Sequence, residues 1–304
     1  MRKLQGPREI SFPDFTCRVR DYLLESEAAH NLLWGLIGQL SRDPLIAEKA
    51  YWVSIENESG AVCGVALRTE GHQLVLSDFR DEQAVAELAR ELYHDHIDLP
   101  GVLGPAAVAK IFSETWTKLM ACQSQLLIRE QIYELTAASL HAQSLADGEE
   151  MVQLTDQDDV EWLVSWIHEF EREAMPEFVS SLEQARTLVQ NRLRNSIRDG
   201  GFFILKDAGM PRSVVGYAHP TPHGIRIAPV YTPPCWRNYG YASRLVALSC
   251  QKLLEFGYTH IYLFADKANP AANRVYQQTG FQMVREVNQY QFTEVHSYAS
   301  GEDG

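Results

Sequence analysis

The sequence predicts an α/β chain of two domains, each a mixed twisted sheet flanked by helices. Three observations carry that reading. A β-hairpin pattern occurs twice, half a chain apart. Helical and strand-like stretches alternate after each copy. One strand-to-helix loop in the second half, Thr232 to Ala242, has the make-up of a phosphate cradle.

The hairpins are Val62-Cys63-Gly64-Val65-Ala66 and Val214-Val215-Gly216-Tyr217-Ala218, both Val-x-Gly-x-Ala, with their glycines 152 residues apart. Each is followed by a polar turn and a second apolar stretch, His72–Ser77 and His223–Ala228. A repeat of half the chain length points to a duplicated domain.

In the first half, Asp81–His96 reads as a helix and Gly101–Pro105 as a tight strand exit. Ala106–Ala121 is amphipathic, with Val108, Ile111, Phe112, Trp116 and Leu119 at helical spacing. Gln125–Leu135 alternates like a strand. The Ala-, Ser- and acid-rich stretch 136–150 is the expected linker, giving domains at 1–140 and 141–304.

The second half opens with a short strand, Met151–Leu154, and N-cap residues at Thr155–Asp158. Asp159–Glu173 is a helix with Trp162, Trp166 and Phe170 on one face, a stripe that reads as core, and Met175-Pro176 breaks it. Leu182–Arg198 is expected as a second helix, ended by Gly200-Gly201. Strands are expected at 202–206, 212–219 and 225–231, then a helix from about Gly240 to Phe256. A buried strand at 259–264, a helix at 271–278 and closing strands at 281–287 and 289–292 complete the half.

The chain has 304 residues, 45% hydrophobic and 22% charged, which excludes whole-chain disorder. No apolar run is long enough to span a bilayer, and no apolar segment follows Met1–Glu9 as in a secretion signal. A cytoplasmic protein without membrane partners is expected. Forty acidic against 27 basic side chains argue against a nucleic-acid partner. Residues 1–150 hold 13 basic and 23 acidic side chains, residues 151–304 hold 14 and 17, so an anion is repelled less by the second half. The five cysteines show no Cys-x-x-Cys, which fits reduced thiols. Cys235 has no partnered His and is not expected as a nucleophile. His219 and His223 lack a third ligand, so no metal is expected.

The loop Thr232–Ala242 lies between a strand and a helix. Unpaired N–H groups at such a helix start face one point, and the helix dipole favours an anion there. Gly240 permits close backbone approach, Ala242 leaves room, and Arg237 can reach a phosphate oxygen. Neither a Walker loop nor Gly-x-Gly-x-x-Gly is present.

Arg237-x-x-Gly240-x-Ala242 resembles the acyl-CoA signature of the GNAT superfamily of N-acetyltransferases. Asn269 after the strand, Tyr276 in the helix and Gly280-Phe281 entering the next strand resemble that family's second signature. The resemblance covers residues 151–292; the first half is GNAT-like in layout only.

The resemblance implies acetyl-CoA as acyl donor and a primary amine, of a small molecule, as acceptor, attacking the thioester directly. Main-chain groups of Val230 and Thr232 would pair with the pantetheine arm. Amides of Arg237, Asn238, Tyr239, Gly240, Tyr241 and Ala242 would cradle the pyrophosphate. Asn269 would touch the arm near the thioester, and Tyr276 would protonate the leaving thiolate. The Val230 amide is a candidate oxyanion donor.

The base stays open among Glu171, Glu173, His219 and Asp266, and Asp266 also reads as a simple cap. The acidic stretch 169–173 reads as a solvated face that could also attract a cationic amine. Two other functions remain: a non-catalytic acyl-CoA sensor, and a thioester hydrolase. After Leu74–Ser77, where a phosphate loop would recur, stand Asp78, Asp81 and Glu82 and no glycine. The first half is therefore expected to be a degenerate domain without a CoA site, packing on the second half and shaping its acceptor pocket.

Overall fold

The computed structural model describes residues 3–194 and 199–294. The chain forms two compact units. One is built from the chain up to Glu130 together with the chain from Glu286 onward; the other is Gln131–Arg285.

In chain order the first unit contains β1 (Lys3–Gln5), α1 (Phe12–Leu24), α2 (Asn31–Arg42), α3 (Pro44–Lys49), β2 (Tyr51–Glu56), β3 (Val62–Arg68) and β4 (Leu74–Leu76). Next come α4 (Glu82–His94), β5 (Gly101–Pro105), α5 (Ala106–Met120) and the start of β6 (Gln123–Thr136). The second unit takes the end of β6, then β7 (Glu149–Gln153), α6 (Glu161–Ala174), α7 (Leu182–Arg194), β8 (Gly200–Asp207), β9 (Met210–Ala218) and β10 (Gly224–Tyr231). It continues with α8 (Tyr241–Glu255), β11 (His260–Asp266), α9 (Pro270–Thr279) and the start of β12 (Gln282–Thr293).

The repeat seen in the sequence is a repeat of topology. β3 pairs antiparallel with β4, and β4 parallel with β5 across α4. β9 pairs antiparallel with β10, and β10 parallel with β11 across α8. Both crossover helices bury the same pattern. Ala84, Val85, Leu88, Ala89 and Leu92 line α4, and Leu245, Val246, Ser249, Cys250 and Leu253 line α8. That spacing puts one stripe against the sheet.

Each unit packs helices on both faces of its sheet. In the first, α4 and α5 cover one face through Leu88, Phe112 and Trp116, and α1 and α2 the other through Phe15, Leu23 and Ile37. In the second, α8 and α9 pack Leu245, Val246 and Tyr276 on Ile225, Ile227 and Ile261. On its other face α6 and α7 pack Leu163, Ile167 and Val189 on Phe202, Ile204 and Val214.

The division differs from a single boundary near residue 140. The end of β6 belongs with the second unit, and the chain from Glu286 returns to the first. There β12 runs antiparallel to β5, from Val287↔Pro105 to Gln291↔Gly101. The expected pair of closing strands is thus one strand, Gln282–Thr293, whose latter part completes the first unit's ladder. A second difference concerns Gly200 and Gly201. They stand in β8, paired with Ala218 and Tyr217, and do not end α7. The expected last residues of that helix, 195–198, lie outside the described residues.

Candidate functional site

The candidate site lies in the unit Gln131–Arg285, where β10 leaves β11. Their parallel ladder runs from Gly224↔His260 to Arg226↔Tyr262, and no further pairing follows among the described residues. β10 stays with β9 through Val230↔Val215 and Tyr231↔Val214, after a register shift between Ile227 and Val230. Pro229 sits in that shift and has no N–H for a ladder. The two strands part past Arg226, and Val230 lies half-buried on the departing segment.

The loop after β10 makes a short 3-10 turn at Pro234–Trp236, in which the Arg237 N–H donates to Pro234 O at 3.3 Å. Asn238 and Gly240 take left-handed conformations, φ +69° and +80°. Gly240 is the N-cap of α8 and offers no side chain to it. The first intrahelical bond runs from Arg244 N to Gly240 O at 3.1 Å. The N–H groups of Tyr241, Ala242 and Ser243 therefore have no acceptor within the helix. An open helix end of this kind favours an anion.

Side chains pin the loop. The Tyr241 hydroxyl donates to Asp207 Oδ2 at 2.5 Å, and the exposed Tyr239 ring stacks on Tyr241 at 5.9 Å. Arg244 is bound to Glu149, Nε to Oε2 at 2.8 Å, and to Tyr239 O at 3.1 Å. The Arg212 guanidinium stacks 3.7 Å from the Trp236 ring centre.

Arg237 reaches back to α6. Its Nε donates to Thr232 O at 2.9 Å and its Nη2 to Glu173 Oε2 at 2.6 Å. The guanidinium is thus engaged by protein, and the Thr232 carbonyl expected to meet the pantetheine arm is engaged too. The buried Thr232 hydroxyl lies 2.8 Å from Ser213 Oγ. Glu173 and Glu169 also face the Tyr231 hydroxyl, which donates to Glu169 Oε2 at 2.9 Å. Burial first, then that bond, raises the Tyr231 pKa. Trp166 and Phe170 meet the Tyr231 ring edge-on at 6.1 and 6.5 Å.

Tyr276 is buried on α9, its ring between Phe281 and Tyr133, at 6.0 and 6.3 Å. Among the described residues its hydroxyl has no hydrogen-bond partner. Burial raises its pKa, so the phenol keeps its proton at neutral pH. Asn269 caps α9: its Oδ1 accepts from Ala272 N at 3.1 Å.

Of the candidate bases, Glu171 is buried and accepts from Ser180 N at 2.9 Å and from its hydroxyl. Asp266 accepts from Ala268 N at 2.8 Å, the capping reading. Glu173 is taken by Arg237. His219 follows β9 with φ +58°. Among the described residues no group of three or more metal-ligating side chains occurs.

The equivalent place in the first unit is closed. α4 is capped by Asp81, whose carboxylate accepts from Gln83 N at 2.8 Å, and Glu82 stands in its first turn. A Cβ at Gly104 would lie 2.9 Å from Leu76 Cβ, so β4 and β5 stay together at that level. Phe79 fills the space above Gly64, the partner of Gly216 in the repeat.

Sequence reasoning passed over Arg192, Arg226 and Tyr231. Glycines inside strands, at 200 and 216, mark the close approach of Arg192, but Gly200 reads in the sequence as a helix end, so the pair is not visible there.

Residues 163–281 match the Acetyltransferase (GNAT) family. The matched segment contains β10, the loop Thr232–Ala242, α8 and α9, while Tyr133 and Glu149 of the site lie outside it. Solved structures of the same fold span both units. A Drosophila protein has a TM-score of 0.63 at 12% identity, covering 95% of this chain and 98% of its own. A tandem GNAT protein from the clavulanic acid biosynthesis pathway gives 0.57 at 11%, covering 97% and 98%. A GCN5-related N-acetyltransferase from Sphaerobacter thermophilus gives 0.56 at 14%, covering 80% of each. No curated protein matches the sequence. The fold is that of two GNAT-like domains, and no helix among the described residues is long and apolar enough to cross a membrane.

Proposed function

We propose that the unit Gln131–Arg285 transfers an acetyl group from acetyl-CoA to the primary amine of a small molecule. The observation that carries this is the bare N-terminus of α8 at Gly240, beside the point where β10 leaves β11. Acetyl-CoA supplies the acyl group as a thioester. The N–H groups of Asn238 to Ser243 suit its pyrophosphate, since they are oriented before the ligand arrives. The edge of β10 from Ile227 to Tyr231 that is unpaired with β11 suits the extended arm, as an added strand would. Asn269, as the cap of α9, fixes the helix that carries Tyr276.

Positioning supplies most of the rate in such a site. The Val230 amide is the candidate donor to the carbonyl oxygen as charge develops there. Tyr276 holds a proton in an apolar pocket and gives it to the leaving sulfur. The amine loses its proton to solvent or to Glu173, once that carboxylate is released from Arg237. The first unit, with Asp81 and Glu82 at the equivalent helix start, binds no CoA.

The test is release of free thiol from acetyl-CoA by the purified protein across a panel of primary amines. Amine-dependent release supports the transferase. Release without any amine points to a hydrolase. Binding without release under every amine points to a sensor.

A further inference from the structure

We infer that the acyl-transfer site takes a substrate bearing a carboxylate, and that Arg192 is the residue that reads it. The inference rests on the transferase reading above and names the substrate class of that same site.

Arg192 stands in the last turn of α7 and lays its side chain across the sheet. Its Cγ lies 3.3 Å from where a Cβ at Gly200 would be, and its Nη1 2.7 Å from where a Cβ at Gly216 would be. Its guanidinium carbon is 5.1 Å from the centre of the Phe202 ring, and Nη1 donates to Ala228 O at 2.6 Å. The side chain thus crosses β8 and β9 and arrives at the register shift of β10. Two glycines clear its path; any other residue at 216 would occupy the guanidinium's place. Val230, the candidate oxyanion donor, is two residues beyond Ala228.

Three other arginines of this unit have carboxylate partners. Arg186 is paired with Glu161 and Glu183, Arg237 with Glu173, and Arg244 with Glu149. Among the described residues no carboxylate pairs with Arg192. The charged group that acts on it is a second cation, Arg226 of β10, whose guanidinium lies 5.7 Å from the Phe264 ring centre. Burial first, then Arg226, pull the Arg192 pKa down to about 10. It remains a cation at neutral pH, drawn partly out of water without a counter-charge. Such a charge is costly until an anion joins it.

A structural role alone explains less. Holding one carbonyl needs one N–H, which a neutral side chain supplies. Arg192 has five donors in a rigid fork and uses one on Ala228. The rest suit a carboxylate held by two bonds. The carboxylate has two sources, an amino-acid-like acceptor or the far end of a dicarboxylic acyl group.

The experiment is calorimetry on the full chain. In one arm, protein saturated with CoA is titrated with glycine, β-alanine, L-alanine, L-glutamate and 4-aminobutyrate, each against its amide. In the other, succinyl-CoA is compared with acetyl-CoA. A hydrogen-bonded charge pair predicts about 10- to 100-fold preference for the carboxylate form in one arm. Arg192→Gln removes that preference, and Arg192→Lys keeps part of it; circular dichroism checks that both fold. Preference in the first arm assigns the carboxylate to the acceptor, and in the second to the acyl group. Acetyl-CoA binding with no preference in either arm overturns the inference and leaves the transferase reading standing. So does a preference that Arg192→Gln does not alter. Failure to bind acetyl-CoA overturns both.

Discussion

Arg237 Nη2 lies 2.6 Å from Glu173 Oε2, which ties the signature arginine of the loop to the last turn of α6. Both side chains are over 40% exposed, so the pair adds little stability. Its consequence is for binding. The guanidinium is held by Thr232 O and Glu173, and the N–H groups at the start of α8 are the proposed pyrophosphate site. Arg237→Gln is therefore expected to weaken acetyl-CoA binding by only about 3-fold, the scale of an exposed ion pair. Calorimetric titration checks this. A loss of all binding would place the charge, not the backbone, at the pyrophosphate.

Tyr276 is expected to act on turnover and not on affinity. Tyr276→Phe keeps the ring between Tyr133 and Phe281 and removes only the proton donor. The expected loss in kcat is about 100-fold or more, typical of a general acid. The Kd for acetyl-CoA stays within about 3-fold, since one hydroxyl that binds no ground-state group contributes little. An unchanged kcat removes Tyr276 from the mechanism.

Much of this was legible in the sequence, and the reasons differ by element. The loop from Thr232 to Ala242 could be read because its chemistry is local: a strand end, prolines, a glycine and a helix start. The hairpins were legible for the same reason. The course of β12 was not, because pairing with β5 is long-range and its composition is that of any strand. Arg192 was missed because its role depends on two glycines, on different strands, that become neighbours only when β8 and β9 pair. Glu173 reads in the sequence as a candidate base, yet nothing in its helix foretells Arg237 as its partner.

Removing the cap of α4 separates the two helix starts. Asp81→Ala is expected to cost about 1 kcal/mol, the usual worth of a side-chain N-cap. Urea unfolding reads it as a lower midpoint with an unchanged slope. Acetyl-CoA affinity should be the same as in the parent, because the Asp81 carboxylate already occupies the start of α4 and the proposed CoA site is at α8. A change in affinity would reveal a CoA site in the first unit.

Stability should fall above pH 10. Burial raises Tyr22 and Tyr217 to about 12, from an ordinary value of 10.0. Between those values the unfolded chain has lost phenolic protons that the folded chain retains. The stability is thus present in full below pH 10 and is lost as pH rises through 12. Urea midpoints at pH 8, 9.5, 10.5 and 11.5 follow it. Tyr217→Phe, which also removes the 2.6 Å bond between Gln153 Nε2 and the Tyr217 hydroxyl, should flatten the decline. A midpoint flat to pH 11.5 would contradict the burial of these phenols.

The most direct measurement is calorimetric titration of the full chain with acetyl-CoA, for the parent and for Gly240→Asp. At φ +80° an aspartate is strained, and its carboxylate would stand at the open end of α8. The expected result is saturable one-site binding by the parent and none by a folded Gly240→Asp. Equal binding by the two, or no binding by a folded parent, would contradict the assignment of the α8 N-terminus as the pyrophosphate site.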